Sequence, residues 1–142
     1  MEIGMTKSVD MKETKEMNPL QLAYLGDAIY ELYIRYHLVI GSDIRPKELH
    51  DEAIRFVAAP AQARGMRAVE EQLTEEEWEV LKRGRNAKSG GVPKSAKPSE
   101  YRYATGLETL VAHWYLTGQV DRLTDMMKRM IQALEEGEND GE

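Results

Sequence analysis

Apolar residues recur every three or four positions along most of the chain, and helix-starting and helix-ending residues separate the periodic stretches. This spacing is typical of amphipathic helices, and no segment convincingly shows the two-residue alternation of a strand. We therefore predict an all-α domain without internal repeats. The predicted helices begin at Pro19, Pro46, Pro60, Thr74, Ser99 and about Val120, and the first, third, fifth and sixth end near Gly41, Gln72, Gly118 and Leu134.

Local signals define the helix ends and the domain limits. Asn18 followed by Pro19 is typical of a helix start, and Thr74 with Glu77 three residues later forms a capping box. Residues 87–98 are rich in Gly, Pro, Ser and Lys, which predicts a loop. We expect one domain at 18–134, between a flexible N-terminal tail at 1–17 and a flexible acidic tail at 135–142.

The first predicted helix is apolar on two sides, and Asp27 and Glu31 point into the second of them. A helix of this kind is usually buried on both sides, by its own core or by a partner subunit. In a domain with few helices this favours an isologous two-fold homodimer. The first side holds Leu22, Leu25, Ile29, Leu32 and Tyr36, and the second holds Leu20, Ala23, Tyr30, Ile34 and Leu38.

The fifth predicted helix also carries a carboxylate, Glu108, beside the smaller residues Thr105 and Ala112. Two helices that each present a carboxylate can form a metal site in a bundle, and oxygen ligands favour a hard cation. The plainer interpretations are that a neighbour satisfies Asp27, that Glu108 is solvated, and that Glu31 pairs with Arg35 four residues on. The core stripe of this helix is predicted to be Tyr103, Leu107, Leu110, Val111 and Trp114.

Composition excludes several classes of protein. The 142 residues suit one globular domain, and the absence of cysteine excludes disulfide scaffolds, thiolate zinc sites and cysteine nucleophiles. No run of 18 apolar residues exists, so we expect no membrane span and a cytoplasmic protein. The net charge is −6, yet residues 82–103 hold seven cations and one anion. A basic segment on an acidic body suggests that a polyanion docks beside Glu108, and hence metal-assisted phosphodiester chemistry.

Three motifs resemble a known family. LAYLGDAIYE at 22–31 resembles the signature helix of ribonuclease III, in which a Leu-Gly-Asp triplet carries a metal-binding aspartate. TGLETLV at 105–111 resembles the second carboxylate motif of that family. LKRGRNAKSGGVPK, followed by YRYATGLETL, resembles the short bacterial branch called Mini-ribonuclease III, which has the catalytic domain alone.

The resemblance implies an all-helical homodimer that cleaves double-stranded RNA, in particular the precursor of 23S ribosomal RNA, and leaves 5′-phosphate and 3′-hydroxyl ends. It implies Mg²⁺ as cofactor, with Mn²⁺ as a substitute, and Asp27 and Glu108 as the catalytic metal ligands. A ribosomal protein is a possible further partner. The basic loop and its flanks supply the RNA-binding candidates, namely Arg83, Arg85, Asn86, Lys88, Ser89, Lys94, Lys97 and Arg102.

The chain departs from full-length ribonuclease III at three positions. Leu20, Ala23 and Thr105 stand where that motif has further acidic residues. Only two carboxylates per subunit therefore match, which leaves the number of metal ions open. Two other functions stay open on the sequence: a non-catalytic RNA-binding factor for ribosome assembly on the same fold, and a helical protein–protein module whose basic loop binds an acidic partner.

Overall fold

A computed structural model of the chain describes residues 9–87 and 97–140. Those residues contain no strand and are almost entirely helical, which confirms the predicted all-α class. In that part of the chain, no helix has the length and apolarity needed to cross a membrane. The helices are α1 (Met11–Glu16), α2 (Pro19–Gly41), α3 (Leu49–Val57), α4 (Ala59–Val69), α5 (Glu75–Asn86), α6 (Pro98–Leu116) and α7 (Val120–Asp140), with 3-10 turns at Pro46–Glu48 and Glu70–Gln72.

The central element of the fold is α6, against which α2, α5 and α4 all pack, while α7 packs mainly on α4. Its predicted core stripe is confirmed, because all five side chains are buried. Burial of these apolar side chains on several sides of one helix is the main source of stability in such a bundle. The functional residues of α6 are thereby held in a fixed position by three neighbouring helices.

Glycines let two helices approach α6 more closely than any side chain would allow. A Cβ atom added to Gly26 of α2 would lie 1.7 Å from the backbone carbonyl oxygen of Glu108. A Cβ atom added to Gly84 of α5 would lie 2.3 Å from the hydroxyl oxygen of Thr109. Both distances are far inside van der Waals contact, so α2 and α5 reach α6 at adjacent residues only because these positions are glycine.

Two of the predicted helix starts are confirmed by their caps, and three differ from the prediction. Pro46 begins a 3-10 turn, so that α3 starts only at Leu49, and α4 starts at Ala59, one residue before Pro60. The side chain of Asn18 accepts a hydrogen bond from the backbone of Leu20, and both bonds of the Thr74 capping box form. The prediction that Ser99 caps α6 is wrong, because Lys97 is the N-cap and Pro98 is already helical. Proline suits the first helical position because its φ is fixed and it has no N–H to leave unpaired, so the cap lies two residues earlier than predicted.

The two apolar sides of α2 have different environments, and the division differs from the predicted one. One side faces the core with Leu22, Ala23, Gly26, Ile29, Tyr30, Tyr33, Ile34 and Leu38. The other leaves large apolar side chains exposed, namely Tyr24, Leu25, Leu32, Tyr36, Val39 and Ile40. A 100° period identifies both stripes but cannot tell which one faces the neighbouring helices, so the predicted first side combined buried and exposed residues.

The two predicted tails are partly helical. In α1 the buried Thr14 hydroxyl lies 2.8 Å from Nδ1 of His113, and Arg83 donates to the backbone oxygen of Met17 at 2.9 Å. The backbone N–H of Val9 also donates to the carbonyl of Leu116. These are polar contacts with residues far along the chain, which a search for apolar periodicity does not detect. At the other end α7 continues beyond Leu134 to Asp140.

Candidate active site

The structure brings Asp27 and Glu108 together. Asp27 directly follows Gly26, at the point where α2 crosses the backbone of Glu108. Because the backbone of Gly26 contacts the backbone of Glu108, the two carboxyl groups lie close enough to affect each other's charge. Glu108 is partly buried, whereas Asp27 is exposed, so the expectation that Asp27 points into a buried apolar side is wrong. The pair therefore lies at the surface end of the α2–α6 contact, with one carboxyl group open to solvent.

The electrostatics of this pair favour a shared proton or a cation. Burial raises the pKa of the Glu108 carboxyl to about 9, and both its hydrogen bond to Asp27 and the charge of Asp27 add to that increase. A hydrogen bond from Gln62 acts in the opposite direction. At neutral pH Glu108 holds a proton, because two adjacent carboxylates repel each other when both are ionised. A divalent cation between them would remove the same repulsion.

Two further residues next to Glu108 were not found by the sequence analysis. The Tyr30 hydroxyl donates to the carbonyl oxygen of Phe56 at 2.6 Å, and burial, followed by the charge of Glu108, raises its pKa. Tyr30 therefore stays protonated and ties α2 to the end of α3. Gln62 of α4 is 3% exposed. Its one sequence signal is a polar residue on the same helical face as Met66 and Val69.

The donor set fits a hard divalent cation that keeps most of its water. Within residues 9–87 and 97–140, no group of three or more Asp, Glu, His or Cys residues could hold a metal ion. The site therefore offers the oxygens of Asp27 and Glu108, and Mg²⁺ commonly binds to one or two carboxylates together with substrate phosphate. Glu31 does not join them, because it pairs with Arg35 at 3.8 Å as the plainer interpretation predicts.

The described RNA-binding candidates lie near the end of α5 and the start of α6. Arg85, Asn86, Lys97 and Arg102 occupy these ends, and Lys97 and Arg102 are well exposed. Arg83 is partly buried, and its guanidinium group is bonded to backbone oxygens of the α1 region. Lys88, Ser89 and Lys94 lie outside the described residues. The described cations thus border the segment that joins α5 to the helix of Glu108.

Comparisons with known proteins agree with this fold. The ribonuclease III domain family matches residues 20–119, a range that contains both carboxylates. A Mini-ribonuclease 3 of Symbiobacterium thermophilum is 46% identical, over 84% of this chain and 92% of its own length. A Mini-ribonuclease 3 of Enterococcus faecalis is 46% identical, over 89% and 97%. A crystal structure of a Fusobacterium nucleatum protein superposes with a TM-score of 0.77 at 28% identity, over 88% of this chain and 99% of that one.

The chain therefore belongs to the ribonuclease III family, and it is an endoribonuclease. Within that family its similarity to Mini-ribonuclease 3 proteins covers most of its length. This confirms the resemblance seen in the motifs and favours catalysis over the two non-catalytic alternatives. Because the chain belongs to this family, its class of substrate is double-stranded RNA and its class of cofactor is a divalent metal ion.

Replacement of Gly26 by Ala tests whether the helix crossing holds the site together. The added methyl group meets the backbone of Glu108, which cannot rotate away as a side chain can. We expect Gly26→Ala to lower the free energy of unfolding by about 1–3 kcal/mol or more, as overpacking does. The separation of α2 from α6 should also remove RNA cleavage.

The matched control is Gly41→Ala, at the end of the same helix. A Cβ atom there would lie 3.5 Å from the nearest atom, an ordinary contact. This variant should unfold at or above the wild-type temperature and retain cleavage. Thermal unfolding and a cleavage assay on both variants give the answer, and equal behaviour of the two would contradict the role assigned to Gly26.

Proposed function

We propose that this endoribonuclease is a Mg²⁺-dependent enzyme of the cytoplasm that cleaves double-stranded segments of the 23S ribosomal RNA precursor, leaving 5′-phosphate and 3′-hydroxyl ends. The observation that carries the catalytic part is the proximity of the carboxyl groups of Asp27 and Glu108 at the α2–α6 crossing. The choice of this RNA and of Mg²⁺ rests on the likeness to the Mini-ribonuclease III branch. Mn²⁺ is the expected substitute, and a ribosomal protein is a possible accessory partner.

Asp27 and Glu108 are the residues that would hold the cation. When bound, a divalent ion neutralises charge on the scissile phosphate and lowers the pKa of a water molecule that can attack phosphorus. Asp27 is exposed and can be reached by the RNA backbone, whereas Glu108 is partly buried and held from several sides. The two carboxylates would thus have different roles. Asp27 would face the substrate, and Glu108 would provide a fixed metal ligand.

Cationic side chains at the start of α6 would hold the RNA. Lys97 is 81% exposed, with only a long ion pair of 3.9 Å to Glu100, and Arg102 is exposed one turn further along α6. A-form RNA is bound mainly through its phosphates and 2′-hydroxyl groups, so such contacts select duplex shape more than sequence. These two basic residues lie where α6 begins, and the same helix continues to Glu108.

The exposed apolar side of α2 supports the proposed homodimer. In the described part of the chain, all but one of the exposed large apolar side chains lie on α2 or α3, the exception being Met11. Beside them a groove of about 420 Å³ runs between α2 and α3, lined by residues such as Leu38, Leu49 and Val57. A concentration of apolar surface of this kind marks an interaction site. A second copy of the chain, related by a two-fold axis, would cover this apolar surface.

Replacement of Asp27 by Asn tests the catalytic pair. The change keeps the shape of the side chain but removes its charge, so we expect cleavage of a double-stranded RNA in Mg²⁺ to be abolished. Stability should be retained, because Asp27 is exposed and asparagine has the same shape. The measurements are cleavage with and without chelator, end analysis of the products, and thermal unfolding.

Glu31→Gln is the control for that substitution, since it neutralises a carboxylate on the same helix that pairs with Arg35 instead. It should cleave at the wild-type rate. Wild-type turnover by Asp27→Asn would remove Asp27 from the metal site. Cleavage by the wild-type protein in excess chelator would remove the metal from the proposal.

A charge placed on the exposed side of α2 tests the dimer. Tyr36 is 60% exposed, so Tyr36→Glu should fold normally while placing a carboxylate in the proposed interface. We expect sedimentation velocity at micromolar concentration to show a dimer for the wild-type protein and a monomer for this variant. Ala68→Glu adds the same charge on the exposed part of α4 and should remain dimeric. A wild-type monomer would contradict the proposal.

Neutral substitutions among the cations test the RNA-binding surface. Lys97→Gln, Arg102→Gln and the loop changes Lys88→Gln and Lys94→Gln should each weaken binding. Each lost phosphate contact should reduce the slope of log K against log salt by about 0.7–0.9, taking DNA values as a guide. Arg83→Gln should mainly lower thermal stability, because its guanidinium group binds the α1 region.

The binding measurements use double-stranded RNA in Ca²⁺ across a salt series. Lys128→Gln, an exposed change on α7, is the control and should leave both the affinity and the slope unchanged. Wild-type slopes for all four variants would show that this edge of the protein does not bind RNA.

A further inference from the structure

Arg67 is an exposed arginine that stacks on an aromatic ring instead of pairing with a carboxylate. Its guanidinium carbon lies 5.0 Å from the centroid of the Tyr103 ring, and Arg67 forms no ion pair with any described residue. Arg67 belongs to α4 and Tyr103 to α6, so the contact joins two helices. The sequence analysis did not consider Arg67, because it lies well before the basic segment in the chain.

This stacking leaves the hydrogen-bonding groups of Arg67 available to a ligand. A cation–π contact uses the face of the guanidinium group, whereas its five N–H groups point outward in the plane of that group. The planar arrangement matches a phosphate, to which arginine can donate two parallel hydrogen bonds. Because the ring already restricts the side chain, less conformational entropy is lost when an anion binds.

Tyr103 is a fixed support for the arginine. Its side chain is 6% exposed, and its hydroxyl group donates a hydrogen bond to the carboxylate of Glu70 in the 3-10 turn after α4. Glu70 follows Arg67 by three residues, a spacing at which opposite charges often pair on a helix. Here its carboxylate accepts from Tyr103 instead, so the positive charge of Arg67 is left without a direct counter-ion among the described residues.

Arg67 lies in the same part of the molecule as cations already proposed to bind RNA. Tyr103, on which it stacks, directly follows Arg102 in the first turns of α6. The backbone of α5 also approaches α6 here, because a Cβ atom added to Gly106 would lie 3.3 Å from the backbone nitrogen of Arg85. Three helices, α4, α5 and α6, therefore each bring an arginine to the first half of α6.

We propose that Arg67 is a further RNA-binding residue, which Tyr103 holds in position to bind a backbone phosphate of the double-stranded RNA. The proposal rests on the proposed function, since it needs the start of α6 to face the RNA. It extends the RNA-binding surface from the ends of α5 and α6 to α4. Phosphate contacts fix the register of a protein on a duplex without reading its sequence, so Arg67 would contribute affinity and placement.

The test is binding of double-stranded RNA to the full-length chain in Ca²⁺, across a salt series. Arg67→Gln removes one phosphate contact, so affinity should fall and the slope of log K against log salt should decrease by about 0.7–0.9. Over an approximately fourfold rise in salt, the variant should thus lose about threefold less affinity than the wild-type protein does. Thermal unfolding checks that the variant is folded at the temperature of the assay.

Arg64→Gln is the matched control, because it removes the same charge from an exposed arginine of the same helix. Arg64 lines a groove between α4 and α7, together with Ala133 and Leu134. This variant should keep the wild-type affinity and slope. If Arg67→Gln gives the same affinity and slope as Arg64→Gln, the stacking of Arg67 on Tyr103 is only structural and the proposal is overturned.

Two further substitutions test whether Tyr103 orients the arginine. Arg67→Lys keeps the charge but loses the planar paired donors, so the slope should return to the wild-type value while the affinity stays below it. Tyr103→Leu removes the ring and should weaken RNA binding in the wild-type background but not in Arg67→Gln, because the ring acts through Arg67. Tyr103→Phe keeps the ring and should retain the affinity. Additive losses in the Tyr103→Leu and Arg67→Gln double variant would remove Tyr103 from the proposal.

Lys97→Gln separates this proposal from the proposed function. If the wild-type protein binds double-stranded RNA and Lys97→Gln lowers the slope while Arg67→Gln does not, the RNA-binding surface is confirmed and only the role of Arg67 fails. If the wild-type protein does not bind double-stranded RNA, the proposed function fails first and the role of Arg67 fails with it.

Discussion

The close approach of α2 to α6 at Gly26 is the constraint on which the rest of the structure depends. Two helix backbones meet there without an intervening side chain, and the backbone oxygen of Glu108 occupies the space that a Cβ atom would need. The next residue along α2 is Asp27, so the same contact that joins the helices also sets the distance between the two carboxyl groups. The packing of the core and the geometry of the candidate site therefore depend on the same contact.

Two buried or partly buried glutamates show how the environment decides the role of a carboxylate. Burial raises the pKa of Glu77 too, but hydrogen bonds from Arg122, the Thr74 backbone and Trp114, together with the charge of Arg122, outweigh that effect and lower it. Glu77 is a permanent anion that joins α5, α6 and α7. Glu108 has one neutral donor and a like-charged neighbour, so its charge is left to be compensated by a proton or a cation.

Much of the helix layout could be predicted from local signals. Asn18, the Thr74 capping box and Gly118 act within one turn of the backbone, so the sequence is enough to find them. The core stripe of α6 was equally clear from its period. The cap of α6 was misplaced by two residues, because Ser99 is a good cap but Pro98 is a good first helical residue, and the proline decides the start.

Features that depend on distant contacts could not be predicted in the same way. The attachment of α1 needs Thr14 to meet His113, and the exposed side of α2 can be told from the buried one only when α6 is in place. In the candidate site, the motifs identified Asp27 and Glu108, but they did not predict that Asp27 is exposed. The burial of Gln62 gave almost no signal, because a single polar residue among apolar ones does not show which helix it packs against.

The attachment of α1 has a practical consequence for work with this protein. Val9 is bonded to the end of α6, and Arg83 links the α1 region to α5 only a few residues before the basic loop. A bulky fusion partner joined to the N-terminus would therefore pull on the helix that carries the first loop cations. The exposed end of α7, beyond the ion pair between Glu135 and His37, is a better place for an affinity tag.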